Sequence, residues 1–251
     1  IVLENGARAI LVERFSGRGR YLTNPVSEIV LEGGAQLTHV RLFEDADAAF
    51  NLSHLHAHVS RDSAYHLQVL STGGALVRDE VHVALAGPGA FTSICGVFLA
   101  RGRQHTDHTT VIRHEAPHTT SRELFKGALD DNARGVFQGN IYVAKGADGT
   151  DGQLTNKTLL LSDRAEIDCK PQLEIYADDV KCAHGATAGE LEEQALFYMR
   201  TRGIPENQAR AMLVEGFLDE VFEDVVHAGI AEVLRSRIAR WLHGPGLEAA
   251  A

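Results

Sequence analysis

The chain has 251 residues, 44% of them hydrophobic, and its formal net charge is −10 at pH 7. This length suffices for one large hydrophobic core with a smaller appendage. The acidic balance gives no general attraction to phosphate, so we expect no nucleic-acid partner. No apolar run approaches the ~20 residues of a membrane span, so we expect no membrane insertion. Three widely spaced cysteines without a CxxC pair fit a reducing cytosol and exclude a self-contained zinc ribbon.

Short β-like runs dominate residues 1–186, and Gly, Asn, Asp and Pro separate them. A weak helix-like segment at 44–50 is the exception. This pattern allows a sandwich, a closed barrel or a β-solenoid. Hairpin signals are few, and most corners resemble bends between strands of similar length, which favours a parallel β-helix. The runs are Ile29–Leu31, Thr38–Phe43, Ala64–Leu70, Val81–Leu85, Phe91–Ala100, Thr109–Arg113, Val136–Ala144, Leu159–Leu161 and Leu173–Ala177.

After Gly185 the pattern changes and predicts three helices. They cover residues 190–200, a segment that starts near Pro205 and continues to 221, and a segment through residues 230–241. We therefore predict a β-helix domain at 1–186 and a helical domain at 187–244. We expect the tail at 245–251 to be partly vector-derived. The abrupt strand-like start at Ile1 predicts that the chain is a fragment.

One segment, at 171–187, combines two strands with a thiol and an imidazole. The acidic corner Asp178-Asp179 separates two alternating patterns. The second pattern places Val180, Cys182 and His184 on one face of a strand. Cys182 could be buried filler, as free cysteines commonly are. Alternatively, Cys182 and His184 could form half of a metal or sulfur site whose other ligands come from a partner chain, because two ligands cannot complete a tetrahedral site.

The 13 histidines cluster. A strand would project His54, His56 and His58 to one face, and His105, His108, His114 and His118 follow with interspersed acidic residues. These clusters could form a divalent metal site, since imidazole is a common ligand. The preferred reading is a polar outer face of the solenoid. The sequence contains no GxSxG, P-loop, HExxH or GxGxxG motif, and Asp130-Asp131 is more simply a turn than a paired-carboxylate site.

Several longer motifs together resemble one family. They are Phe125-Lys126-Gly127, LDDNARGVF at 129–137, LLLS at 159–162, LEIYADDVKCAHGAT at 173–187 and LFYMRTRGI at 196–204. They resemble the SufD family of the SUF iron–sulfur cluster assembly system. The resemblance implies a right-handed parallel β-helix followed by a C-terminal helical domain, which agrees with the strand and helix pattern. It also implies that the N-terminal helical region of the family is missing from this chain.

The same resemblance implies partners and site residues. It implies pairing with a SufB subunit through the β-helix and binding of the SufC ATPase through the C-terminal helices. His184 matches a histidine at the SufB interface that is implicated in cluster assembly, and Cys182 matches the cysteine two residues before it. The ATPase-docking surface would include Ala211, Met212, Leu213, Val214 and Phe217.

The resemblance further implies a non-catalytic scaffold in the cytoplasm or plastid stroma. Its cargo would be a transient iron–sulfur cluster shared with the partner subunit, and the isolated chain would hold no cofactor of its own. A reduced flavin is associated with the assembled complex of the family, but no residue here identifies its site. The alternatives are a SufB-like paralogue and a free-standing histidine-rich metal-binding β-solenoid. Exposed strand edges would also allow a homodimer when SufB is absent.

Overall fold

The chain folds into two parallel β-sheets followed by helices. The computed structural model describes residues 1–223, 225 and 227–243, so the tail at 245–251 lies outside the described residues. The strands of sheet A are Val2–Leu3 (β1), Leu22–Thr23 (β3), Val26–Leu31 (β4), Phe50–Val59 (β6), Leu76–Leu85 (β8), His105–His114 (β10), Arg134–Val143 (β12) and Glu166–Ile175 (β14). The strands of sheet B are Arg8–Ser16 (β2), Gln36–Glu44 (β5), Ala64–Ser71 (β7), Phe91–Ala100 (β9), Thr120–Leu129 (β11), Thr150–Leu160 (β13) and Val180–Gly189 (β15).

From β4 onward, successive strands alternate between the two sheets. Sheet A is ordered β1-β4-β6-β8-β10-β12-β14, with β3 also paired to β6, and sheet B is ordered β15-β13-β11-β9-β7-β5-β2. Every pairing is parallel, and each coil contributes one strand to each sheet. Side chains of alternate residues point inward and form one continuous apolar core between the sheets. This architecture is a parallel β-solenoid, which confirms the predicted fold class and rules out the sandwich and the closed barrel.

Polar corners connect the strands, as the turn residues predict. The turn at 130–132 is one of them, and Asp131 there has a φ of 58°, in the left-handed region that Asp tolerates better than most residues. The weak helix prediction at 44–50 is wrong. β5 ends at Glu44 and β6 begins at Phe50. Between them Asp45 accepts hydrogen bonds from the Tyr21 hydroxyl at 2.8 Å and the Asn51 amide at 3.0 Å, which fix a corner.

The motif Phe125-Lys126-Gly127 has a packing explanation. Phe125 on β11 pairs with Gly96 on β9, and Gly127 pairs with Phe98. Each phenylalanine ring occupies the space that the opposite glycine leaves. A Cβ at Gly127 would lie 2.1 Å from the Phe98 ring, and a Cβ at Gly96 would lie 2.1 Å from the Phe125 ring. Both glycines are therefore required by close packing in the core.

The three predicted helices are confirmed. They are Glu193–Thr201 (α1), Glu206–Asp219 (α2) and Ala228–His243 (α3), and a short 3-10 helix, Glu220–Phe222, extends α2. β15 continues to Gly189 by pairing with β13, so the β body extends three residues past the boundary expected at 186. Apolar side chains of α2, α3 and the 3-10 helix pack on the outer face of sheet B and form a second core. Among the described residues, this second core contains none from the outer face of sheet A.

Charged side chains fasten the helices to the body. Lys126 on the outer face of β11 is buried beneath α2, where its ammonium group contacts the Phe217 carbonyl and lies 2.5 Å from the Glu220 carboxylate. The Arg101 guanidinium stacks on the Trp241 ring of α3 at 3.9 Å and donates to the Trp241 carbonyl. These contacts join α2 and α3 to different coils of the solenoid.

Candidate functional site

The C-terminal end of the solenoid is open among the described residues. β14 and β15 are the terminal strands of their sheets, so each pairs on one side only. Both strands are largely exposed, and Ile175 and Tyr176 at the end of β14 expose 39% and 59% of their surface. An unpaired parallel edge presents free N–H and C=O groups to a further strand. This end of the fold is therefore suited to pairing with another chain.

His184 lies on this open edge. It pairs with Leu154 of β13, and Leu154 points into the core. His184 belongs to the same inward-facing column of residues, but no further coil covers it, and it is exposed. The imidazole thus occupies the place of a core residue at a position that is open to solvent. A partner chain docking on this end would meet it directly.

Cys182 lies two residues earlier on the same face, as predicted, but it is half-buried. It pairs with Gly152 and packs against the end of the core. Burial is the main cause that raises the pKa of the Cys182 thiol, although a hydrogen bond from the Gly152 backbone lowers it. The group is therefore a neutral thiol near pH 7 rather than a ready nucleophile. Of the two residues, His184 is the more accessible ligand.

The histidine clusters separate into different environments. His54, His56 and His58 all point outward from β6, as predicted. His105 and His108 of β10 lie on opposite faces, so this pair cannot form the metal site that was the alternative interpretation of the cluster. His108 points inward, so the preferred interpretation, a polar outer face, is wrong for it. A strand alternates sides, and residues three apart cannot point the same way. His108 is buried between the rings of Phe98 and Phe125.

The other two histidines of that second cluster, His114 and His118, lie in the core and at a corner of the solenoid. His114 points into the core, where its ring nitrogens lie 2.7 Å from the Thr119 hydroxyl and 2.9 Å from the Ser121 hydroxyl. Burial lowers its pKa to about 4, so it is neutral at physiological pH. His118 occupies a corner, with a φ of 58°. Neither residue shares a face with His105.

Sequence reasoning missed His82, which joins His54 and His56 across the pairing of β6 with β8. His82 pairs with His56, and the three rings contact one another with centroid separations of 4.4 to 5.0 Å. In the sequence, His82 is a polar residue between Val81 and Val83. This alternation predicts that it lies on the outer face of the strand. Its neighbours follow only from the register, which the sequence does not contain.

The five residues predicted to dock the ATPase do not share one surface. Val214 and Ala211 are buried, and the Phe217 ring packs against the solenoid, 4.5 Å from the Lys126 ammonium group. Leu213 is partly exposed, and Met212 exposes 44% of its surface. Met212 lines a groove between α2 and α3 that also includes Gly216, Phe222 and Arg235. This groove is one accessible apolar surface of the helical domain, and Phe197 and Tyr198 of α1, which expose 68% and 58% of their surface, form another.

The fold is a parallel solenoid that carries a helical domain on one face and has, among the described residues, an open end. Residues 1–217 match the family model described as "SUF system FeS cluster assembly, SufBD core domain". The chain belongs to the SufBD family of the SUF iron–sulfur cluster assembly system. This family assignment agrees with the resemblance carried by the motifs.

Three relatives illustrate the similarity. The chain is 34% identical over 244 residues to the iron–sulfur cluster assembly protein SufD of Escherichia coli, covering 96% of this chain and 58% of that protein. It is 37% identical over 243 residues to the chloroplastic protein ABCI7 of Arabidopsis thaliana, covering 95% and 51%. It is 31% identical over 156 residues to SufD of Bacillus subtilis, covering 62% and 36%. The chain thus spans little more than half the length of the first two relatives. None of the helices in the described part of the chain is long and apolar enough to cross a membrane.

Proposed function

We propose that this chain is the core of a non-catalytic scaffold subunit of the SUF system. It pairs through the open end of its solenoid with a SufB-like subunit and through its helical domain with a SufC-like ATPase. The two subunits assemble a transient iron–sulfur cluster as their shared cargo. The bacterial and chloroplastic relatives support a cytoplasmic or stromal location.

The observation that carries the proposal is the exposed His184 on the unpaired edge of β15. One imidazole beside a half-buried thiol cannot complete a metal site. A second chain whose strands pair with β14 and β15 would bring further ligands close to His184. An incomplete set of ligands on an unpaired strand edge is expected if two chains share the complete site at their interface. The role of Cys182 is secondary, because its raised pKa and partial burial leave it less available.

The groove beside Met212 supports the position of the ATPase contact. It is lined by apolar and charged side chains of α2, α3 and the 3-10 helix, and it includes the exposed Met212. An ATPase that changes shape on nucleotide binding could move these helices relative to the solenoid. Such a movement would have to loosen the contacts of Lys126 and Arg101 that hold the helices in place.

The test is a reconstituted complex with the SufB-like and SufC-like partners of the same organism. His184→Ala should lower cluster formation, followed by visible absorption, by about tenfold or more, because it removes a ligand rather than a supporting contact. The complex itself should still assemble, since backbone pairing along β14 and β15 does not need the imidazole. Light scattering after size exclusion measures that assembly.

His58→Ala is the matched control, because His58 is also an exposed strand histidine but lies on the outer face of sheet A. It should form clusters at the wild-type rate. Cys182→Ser should have a smaller effect than His184→Ala. Wild-type cluster formation by the His184→Ala complex would refute the role of His184. Failure of the wild-type chain to bind a SufB-like partner would refute the pairing itself.

A further inference from the structure

A compact group of metal-ligating side chains lies on the outer face of sheet A, away from the open end. His54 and His56 project from β6, and Glu80 and His82 project from the neighbouring strand β8. The register pairs His54 with Glu80 and His56 with His82. Four side chains therefore form a square on adjacent strands, all on the solvent side of the sheet.

The distances within this group suit a divalent ion. A ligand atom of each of His54, Glu80 and His82 lies within 4.8 Å of the other two. The Nδ1 atom of His54 is 3.2 Å from the Oε2 atom of Glu80. Two ligands of a tetrahedral zinc ion with bonds of about 2.1 Å lie about 3.4 Å apart. The imidazole and carboxylate are thus already at ligand spacing, and only small side-chain rotations separate the group from a closed site.

Both of these ligand groups are oriented by a second partner. The Oε1 atom of Glu80 accepts a hydrogen bond from Arg78 Nε at 2.9 Å, which leaves Oε2 turned toward His54. The Nε2 atom of His54 lies 2.6 Å from Nε2 of His56. With Nδ1 directed at an ion, His54 would donate its Nε2–H to His56. Metal-binding histidines almost always donate their other ring N–H to an acceptor, usually a carboxylate, a backbone carbonyl or water, and bound carboxylates are also hydrogen-bonded. Here the His56 imidazole would be that acceptor.

We propose that His54, Glu80 and His82 bind a divalent transition-metal ion of the zinc class, with His56 supporting His54. Two imidazoles and one carboxylate are a ligand set that zinc uses together with a water molecule, and imidazole-rich sites favour zinc, copper and nickel over calcium or magnesium. The site is separate from the open end. β8 lies three strands from β14, about 14 Å along the solenoid at the usual strand spacing.

A solvated polar face is the competing explanation for the histidines. This explanation predicts that the side chains spread apart into water, since protonated imidazoles repel one another. Instead, the rings of His54, His56 and His82 all touch. His58, two residues further along the same face, is outside the group of mutually close ligand atoms that the described residues form. The contrast between His58 and its neighbours provides a matched control.

The experiment measures Co²⁺ and Zn²⁺ binding to the untagged chain carrying Cys182→Ser and His184→Ala, so that ions cannot bind at the open end. Equilibrium dialysis should give about one ion per chain, and the Co²⁺ spectrum should report nitrogen and oxygen ligands. His82→Gln should abolish saturable binding. His56→Gln should weaken it by about 10- to 100-fold, the usual effect of removing a supporting partner. His58→Gln should bind as tightly as the parent.

Circular dichroism and thermal melting of each variant check that the solenoid is intact, which we expect because the side chains are on the outer face. Absence of saturable binding by the parent would overturn the proposal. Equal binding by the parent and by folded His82→Gln would also overturn it, because the ion would then lie elsewhere. Equal losses for His58→Gln and His56→Gln would refute the assigned ligand geometry.

Discussion

The interlocked phenylalanines and glycines of β9 and β11 allow a quantitative test of the solenoid core. In Gly127→Ala the added methyl group would lie 2.1 Å from the Phe98 ring, well inside the roughly 3.4 Å at which real Cβ contacts begin. Phe98 is fully buried, so its ring cannot swing into solvent. Overpacking of this kind costs about 1–3 kcal/mol. Alanine recovers about 0.5–1 kcal/mol of that, because glycine is unfavourable inside a strand.

At the middle of these ranges the expected net loss for Gly127→Ala is about 1 kcal/mol, or a fall in melting temperature of about 2–4 °C for a chain of this size. Urea titration followed by circular dichroism measures it. Gly189→Ala is the control, because a Cβ there meets nothing within 4 Å, and it should be neutral or slightly stabilising. Adding Phe98→Leu to Gly127→Ala should recover part of the loss. Equal stability of Gly127→Ala and Gly189→Ala would refute the packing explanation.

Two further predictions concern buried ionisable groups. Lys126→Met should loosen α2, seen as faster amide hydrogen exchange in that helix, because a buried charged contact to Glu220 and the α2 backbone contributes about 1.5–3 kcal/mol. Lys157→Met, which removes a half-exposed ion pair to Glu220, should cost less than about 1 kcal/mol, and equal effects of the two changes would contradict the assignment. Burial raises the pKa of Glu123 from 4.5 to about 8, with a hydrogen bond from Thr110 opposing the rise, so the folded state holds a proton that the unfolded state has lost. Stability relative to Glu123→Gln should therefore fall by up to about 1.4 kcal/mol per unit as pH rises from about 4.5 to 8 and then level off, and a pH-independent difference in urea midpoints would show that Glu123 is already ionised.

Much of the fold was predictable from the sequence because its three signals are local. Strand alternation needs only neighbouring residues, and so do the apolar helix faces and the polar corners. The prediction that Cys182 and His184 share a face was confirmed for the same reason. The separation of His105 from His108 was also predictable, since an odd spacing of three reverses the face of a strand. Grouping them by sequence proximity alone was the error.

The contacts between coils were not predictable, because the coils differ in length. His54 pairs with Glu80, 26 residues later, whereas Arg134 pairs with Glu166, 32 residues later. No fixed repeat exists from which the register could be deduced, so the position of His82 beside His56 could not be inferred. The exposure of His184 at the open end was also not predictable, because it depends on which strand is last in its sheet. The alternation in β15 does not by itself distinguish it from an internal strand.

Ion pairs connect the helical domain to strands that lie next to the open end. Glu220, next to α2, forms ion pairs with Lys126 on β11 and Lys157 on β13. β13 is the strand that pairs with β15, and Lys157 lies opposite Thr187, three residues from His184. β13 therefore lies between β11, whose Lys126 contacts α2, and β15, whose edge carries His184. Packed strands do not deform continuously, so a displacement of α2 that pulls on β13 would change how β15 presents its edge to a partner. A movement started at the groove beside Met212 thus has a short, contiguous physical route to the proposed assembly site.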